Sequence, residues 1–204
     1  LVGSEMCIRD RDKPTSGEVK LNGRPLSLLS SREKTAFRRD NLGFVFQDFN
    51  LLDTFSVRDN IFLPLVLAGK SYREMEERLT PIAQKLGIGG VLSKFPYEIS
   101  GGQKQRLLIS RALAANPEIL ILDDSSSALD YKTDAALRKA IFEHHRDSTT
   151  IMVAQRVSSI QSMTHILVMD NGRCIGYGTH RELLKTCPAY LAVSYTHLRA
   201  HETR

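Results

Sequence analysis

Apolar residues gather in short blocks along this chain, and the spacing within each block names the element it builds. Ile119-Leu120-Ile121-Leu122 is an unbroken run of branched apolar residues that stops at Asp123-Asp124. Such a run predicts a strand buried on both faces, as in a parallel sheet, that delivers carboxylates at its end. Leu42 to Phe46 predicts a second strand, and Thr150 to Val153 and Ile166 to Met169 are further runs of the kind that build a parallel sheet. Between these runs the period lengthens to that of helices. Arg32 to Arg39 predicts a short polar helix, and Ser56 to Ala68 and Tyr72 to Leu86 predict helices, the first interrupted by Pro64. Gln103 to Ala115 is an amphipathic helix ending before Asn116-Pro117, and Tyr131 to His145 is another helix. Asn22-Gly23 and Asn171-Gly172 supply the positive φ of tight hairpin turns. Thr179-His180-Arg181-Glu182 fits a capping box that opens a last helix.

Strands alternating with helices predict an α/β protein with a parallel-sheet core. The mostly helical stretch over about 52–115 reads as an inserted helical subdomain. The two ends lack this patterning. Residues 1–11 (LVGSEMCIRDR) and 194–204 (SYTHLRAHETR) read as non-native tails, which leaves 12–193 as one partial domain. His197 and His201 fall in the second tail, where their spacing is read as chance rather than as a metal pair.

Composition narrows the class. The 204 residues suit one domain, and the 42% hydrophobic and 25% charged fractions are ordinary for a globular fold. Net charge is +5, but the Lys and Arg are scattered, so no nucleic-acid partner is expected. The three cysteines, Cys7, Cys174 and Cys187, form no metal or disulfide spacing and fit a reducing compartment. The longest apolar stretch, Ile61 to Ala68, is far short of the roughly 18 residues that span a bilayer.

The chemistry centres on two segments. Ser100 precedes Gly101-Gly102-Gln103 at the start of a helix. A serine there can cap the helix, the glycines let backbone approach closely, and the helix dipole favours an anion such as phosphate. Gln47 follows an apolar strand, and its amide oxygen can ligate a hard cation while its nitrogen donates.

Ile99-Ser100-Gly101-Gly102-Gln103 followed by Ile119 to Asp124 resembles the signature motif and Walker B strand of ABC transporter nucleotide-binding domains. The resemblance implies a P-loop NTPase-like ABC ATPase domain: a parallel-sheet core lobe with an inserted helical subdomain. It implies ATP and Mg²⁺ as ligands, with Asp123 and Gln47 at the metal. Ser100, Gly101, Gly102 and Gln103 would meet the γ-phosphate held by an opposing domain, so two domains pair head to tail. Asp130, in the D-loop segment Ser127-Ala128-Leu129-Asp130, would be a further nucleotide-binding residue. The implied partners are a transmembrane domain and a second nucleotide-binding domain, at the cytoplasmic face of a membrane. The implied function is coupling of ATP binding and hydrolysis to export.

Three departures qualify that picture. The phosphate loop G-x-x-x-x-G-K-[ST] does not occur in these residues. Residues 12–18 (DKPTSGE) resemble the family's segment just after the phosphate-loop helix, so the chain is expected to bind ATP poorly in cis. Asp124 stands where active members carry a glutamate base, one methylene longer. Gln155, in Val153-Ala154-Gln155-Arg156, stands where they carry a histidine, and an amide neither titrates nor becomes a cation. Both substitutions resemble the degenerate-site subunit of heterodimeric ABC exporters, which gives the alternative function: a non-catalytic partner that contributes its signature motif in trans. Residues 13–98 resemble bacitracin-resistance and lipoprotein-releasing ATPase subunits, whereas 107–190 resemble an exporter half-transporter. The expectation is therefore a chimera joined within Ser100 to Arg106. An ABC protein acting on DNA or ribosomes is disfavoured, because 49–64 resembles transporter-coupling segments.

Overall fold

In chain order the elements are β1 (Lys20–Leu21), β2 (Arg24–Pro25), α1 (Ser31–Asn41), β3 (Leu42–Val45), α2 (Val57–Leu67), α3 (Tyr72–Lys85) and α4 (Gly101–Ala114). They continue with β4 (Ile119–Asp123), β5 (Thr149–Val153), α5 (Val157–Ile160), β6 (Ile166–Asp170), β7 (Arg173–Gly178), α6 (His180–Thr186) and α7 (Pro188–Glu202). The computed structural model describes residues 16–21, 23–46, 49–123, 141 and 148–202. Gln47, Asp124 and Asp130 lie outside the described residues, as does the helix expected over Tyr131 to His145 apart from Ile141. The chain divides into two compact units, Ser31–Val153 and the residues on either side of it.

In the Ser31–Val153 unit, β3, β4 and β5 form a three-stranded sheet in that order, parallel throughout. Central strand β4 buries Leu120, Ile121 and Leu122 almost completely, as its unbroken apolar run requires. Gly43 on β3 marks a close approach: a Cβ there would lie 2.7 Å from Pro117 Cγ and 3.2 Å from the Ala112 carbonyl. Helices α2, α3 and α4 come after β3 and pack Ile61, Leu65, Leu79, Leu107 and Leu108 into one core with Val45 and Leu122. Each begins at a capping box. Ser56 with Asp59, Ser71 with Glu74 and Ser100 with Gln103 exchange side-chain and backbone hydrogen bonds, so two orphan amides are satisfied at every start. Helix α4 stops at Ala115, and Asn116 (φ +52°) and Pro117 turn the chain into β4.

Pro64 does not interrupt α2. The helix runs from Val57 to Leu67, and burial of Ile61, Phe62 and Leu65 offsets the hydrogen bond that proline forfeits.

The other unit is built around an antiparallel hairpin. Strand β6 pairs with β7 across Asn171-Gly172, whose φ values are +45° and +76°. Among the described residues the run Ile166 to Met169 pairs with β7, as a hairpin strand. The turn two residues beyond it returns the chain at once, whereas a parallel neighbour needs a crossover of a dozen or more residues. Thr179 and Glu182 form the expected capping box of α6. Leu183, Cys187 and Tyr190 bury against Val157 and Ile166. Helix α7 continues to Glu202, through the segment after Ser194 in which the sequence shows no stripe. At the other end, β1 and β2 form the short hairpin, with Gly23 at φ +76°.

Candidate functional site

The glycine turn is built by local hydrogen bonding. Ser100 has extended backbone, its Oγ accepts from Gln103 N at 3.3 Å, and its own N–H donates to Gln103 Oε1 at 2.9 Å. Lys104 N then donates to Ser100 O at 2.9 Å, the first full turn of α4. The amides of Gly101 and Gly102 come too early in the helix to find a carbonyl within it. Gly101 is exposed, and a Cβ on it would meet nothing within 4 Å. Two N–H groups at the positive end of a helix dipole are donors of the kind that suits an anion. Gln103 is committed to the cap, so its part here is to shape the turn.

Arg106 steadies the turn from behind. Its Nε donates to Gly102 O and its Nη1 to Leu86 O, each at 3.3 Å, tying the end of α3 to the first turn of α4. Next to it, Gln105 is 2% exposed and its Nε2 has no hydrogen-bond partner among the described residues.

Asp123 ends β4, half-buried, between β3 and the terminal Val153 of β5. The carboxyl ends of parallel strands are where open α/β sheets hold ligands. Gln155 is exposed and lies two residues after β5 in the chain, in the other unit. The structure thus assembles Ser100, Gly101, Gly102 and Gln103 into one turn and sets Asp123 at a strand end. Gln47, Asp124 and Asp130 are not among the described residues. Among the described residues no group of three or more His, Cys, Asp or Glu gathers to hold a metal, and no helix is long and apolar enough to cross a membrane.

Three side chains at the site were not legible in the sequence. Asn60 is fully buried and hydrogen-bonds the backbone of Leu52, Phe55 and Ser56. Lys104 stands 6.0 Å over the ring of Phe49, and Arg111 donates to Asn50 O at 3.1 Å. No motif marks them: the partners of Lys104 and Arg111 are distant in sequence, and those of Asn60 are backbone groups that any residue supplies.

The model of the ABC transporter family matches residues 6–127. The chain is 38% identical over 177 residues to the uncharacterized ABC transporter ATP-binding protein YvcR of Bacillus subtilis, covering 84% of this chain and 68% of that one. It is 36% identical over 176 residues to the methionine import ATP-binding protein MetN of Vibrio cholerae, where it covers 85% of itself and only 51% of the relative. The chain thus spans about half the length of MetN. Among solved structures it is similar to the ATP-binding cassette MJ0796, in a dimeric post-hydrolysis state bound to ADP and Pi. That match has a TM-score of 0.78 at 29% identity, over 88% of this chain and 81% of the cassette. The parallel sheet, the glycine turn capping α4 and these similarities agree, and the chain belongs to the ABC transporter family as an ATP-binding component.

Proposed function

We propose that this chain works as half of a head-to-tail pair of cassettes and offers its glycine turn to a nucleotide held by the opposing cassette. It would serve an exporter, docked on a transmembrane partner at the cytoplasmic face of a membrane. The observation that carries this reading is the capped head of α4, where Gly101 and Gly102 begin the helix and a Cβ at Gly101 would meet no atom within 4 Å. These residues fit a terminal phosphate oxygen, which wants directed donors and close backbone approach. Asp123 offers one hard oxygen ligand suited to Mg²⁺, and Gln47 would supply a second. The metal, when bound, would neutralise phosphate charge. The chain's own contribution is to orient the γ-phosphate and to shape the turn around it.

Export rests on the resemblance of 47–54 and 107–190 to exporter components. The methionine-import name of MetN supports the ATP-binding role without supporting that direction. A second reading, the non-catalytic partner, is favoured by Asp124 and Gln155, because a shortened carboxylate and an untitratable amide serve poorly as general base and switch cation.

The test is ATP turnover by the chain alone and mixed with a hydrolysis-competent cassette. The expected result is no turnover alone and a stimulated rate in the mixture that disappears with Ser100→Arg. Turnover by the chain alone would exclude the non-catalytic reading. A mixture no faster than the added cassette by itself would exclude donation of the glycine turn.

A further inference from the structure

Two cations on one face of α4 grip consecutive residues of the segment after β3. Lys104 and Arg111 lie about two turns apart, so both project from the same side of the helix. Lys104 Nζ stands 6.0 Å from the centroid of the Phe49 ring, and Arg111 Nη1 donates to the Asn50 carbonyl at 3.1 Å. Asn50 is held at φ +40°, a left-handed conformation that asparagine tolerates better than most residues. Phe49 packs its ring on the main core. Arg111 is partly withdrawn from water, and burial pushes its pKa below the usual guanidinium value. A guanidinium donating to a backbone carbonyl from such a site is a costly arrangement, kept where geometry matters.

The segment is pinned from the far side as well. Asn60 on α2 accepts from Leu52 N and donates to the carbonyls of Leu52, Phe55 and Ser56. Phe49–Asn50 therefore lies between a fixed turn downstream and two cations on α4. Lys104 belongs to the first turn of α4, directly after the glycine turn, and Phe49 comes two residues after Gln47 in the chain.

We propose that Lys104 and Arg111 are positioning residues that lock the Phe49–Asn50 segment to α4, so that the glycine turn and the segment after β3 move as one body. Displacement of either is then passed to the other through α4. Its consequence for turnover rests on the proposed donation of the glycine turn, whereas the mechanical coupling does not.

The chain contains no tryptophan, so Phe49→Trp gives a single indole, excited apart from the tyrosines, at the point of contact and keeps an aromatic face under Lys104. In that background Arg111→Met keeps the bulk of the stem and loses the donors, while Arg111→Lys keeps a donor. Acrylamide quenching is expected to rise about threefold for Arg111→Met as the segment opens, and to stay near the parent for Arg111→Lys. Equal quenching in all three proteins would overturn the proposal, because a side chain acting by bulk alone is replaced by methionine without effect. If Arg111→Met does not fold, Arg111→Gln in the same Phe49→Trp background, read by the same quenching, decides the question: quenching equal to the parent overturns it, quenching that rises supports it. In the mixture with a hydrolysis-competent cassette, Arg111→Met should lower kcat about tenfold with KM for ATP unchanged. Quenching that rises while kcat holds would sink the donated glycine turn and leave the lock standing. Quenching that does not rise sinks the lock whatever kcat does.

Discussion

Asn60 and Leu52 form a closed ring: Leu52 N donates to Asn60 Oδ1 at 3.0 Å, and Asn60 Nδ2 donates back to Leu52 O at 3.0 Å. The same Nδ2 also reaches the carbonyls of Phe55 and Ser56, at 3.1 and 3.0 Å. The side chain has no exposed surface, so it replaces water for a whole turn of irregular backbone.

Removing this side chain leaves buried backbone groups without partners. Asn60→Ala is expected to destabilise the chain by about 3 kcal/mol, read as a lower urea midpoint with unchanged m. Asn60→Asp should cost at least as much, because a carboxylate presents acceptors to three carbonyls. A loss of stability under about 0.5 kcal/mol for either variant would mean that water reaches the turn and the ring is not what holds it.

Glycine at two positions is used for opposite reasons, and the two alanine variants should separate. At Gly43 a Cβ lies 2.7 Å from Pro117 Cγ and near the Ala112 carbonyl, so α4 cannot approach β3 as closely. Gly43→Ala is expected to cost about 1–3 kcal/mol by overpacking. At Gly101 the space is open, and alanine is a better helix former, so Gly101→Ala should leave thermal stability unchanged or slightly raised. Where the glycine turn receives the opposing cassette's nucleotide, as proposed, the added methyl crowds that approach, so the stimulated turnover of the mixture should fall. A variant of Gly101 that loses stability instead would show that the turn is packed rather than open.

The extent of sequence legibility depends on the range of each interaction. The apolar run Ile119 to Leu122 names its strand because burial on both faces leaves no polar position. Asn171-Gly172 and Thr179 to Glu182 name a turn and a helix start because a hairpin turn and a capping box are closed within a few residues. Among the described residues the strand Ile166–Asp170 pairs in a hairpin, and a short apolar run does not say which way its neighbour runs. The glycine turn is readable for the same local reason as the caps: Ser100 and Gln103 bond each other. Asn60, Lys104 and Arg111 are not, since Arg111 and Asn50 meet only once α4 has folded back over the sheet.

Acid sensitivity should track the capping carboxylates. The Glu182 carboxyl accepts from the Thr179 amide and then from its hydroxyl, and Glu74 accepts likewise from Ser71, which holds both below the usual value of 4.5. The unfolded chain then binds more protons than the native one near that pH, so stability rises with pH through this window and is lost as pH falls through the native pKa. Glu182→Gln keeps an acceptor for the cap but removes the titration. Its stability should lie below the parent at pH 7, and the gap should close as pH drops through the parent's acid transition. Parallel curves from pH 7 down to the transition would exclude Glu182 as a contributor to acid unfolding.

Gln105 is the position at which stability and function should part. It is 2% exposed, its Nε2 has no hydrogen-bond partner among the described residues, and it lies one turn beyond Gly101 on α4. A buried donor without an acceptor costs free energy, whereas an apolar side chain of similar length does not. Gln105→Met is therefore expected to raise stability by about 1 kcal/mol, seen as a higher urea midpoint at unchanged m. If the amide waits there for a group that arrives only when two cassettes close on a nucleotide, the same variant should slow the stimulated turnover of the mixture while the chain itself becomes harder to unfold. Gains in both would identify the amide as an uncompensated defect of the core. Loss of stability would mean that Gln105 is better satisfied than its geometry indicates, and the trade-off at α4 would fall with it.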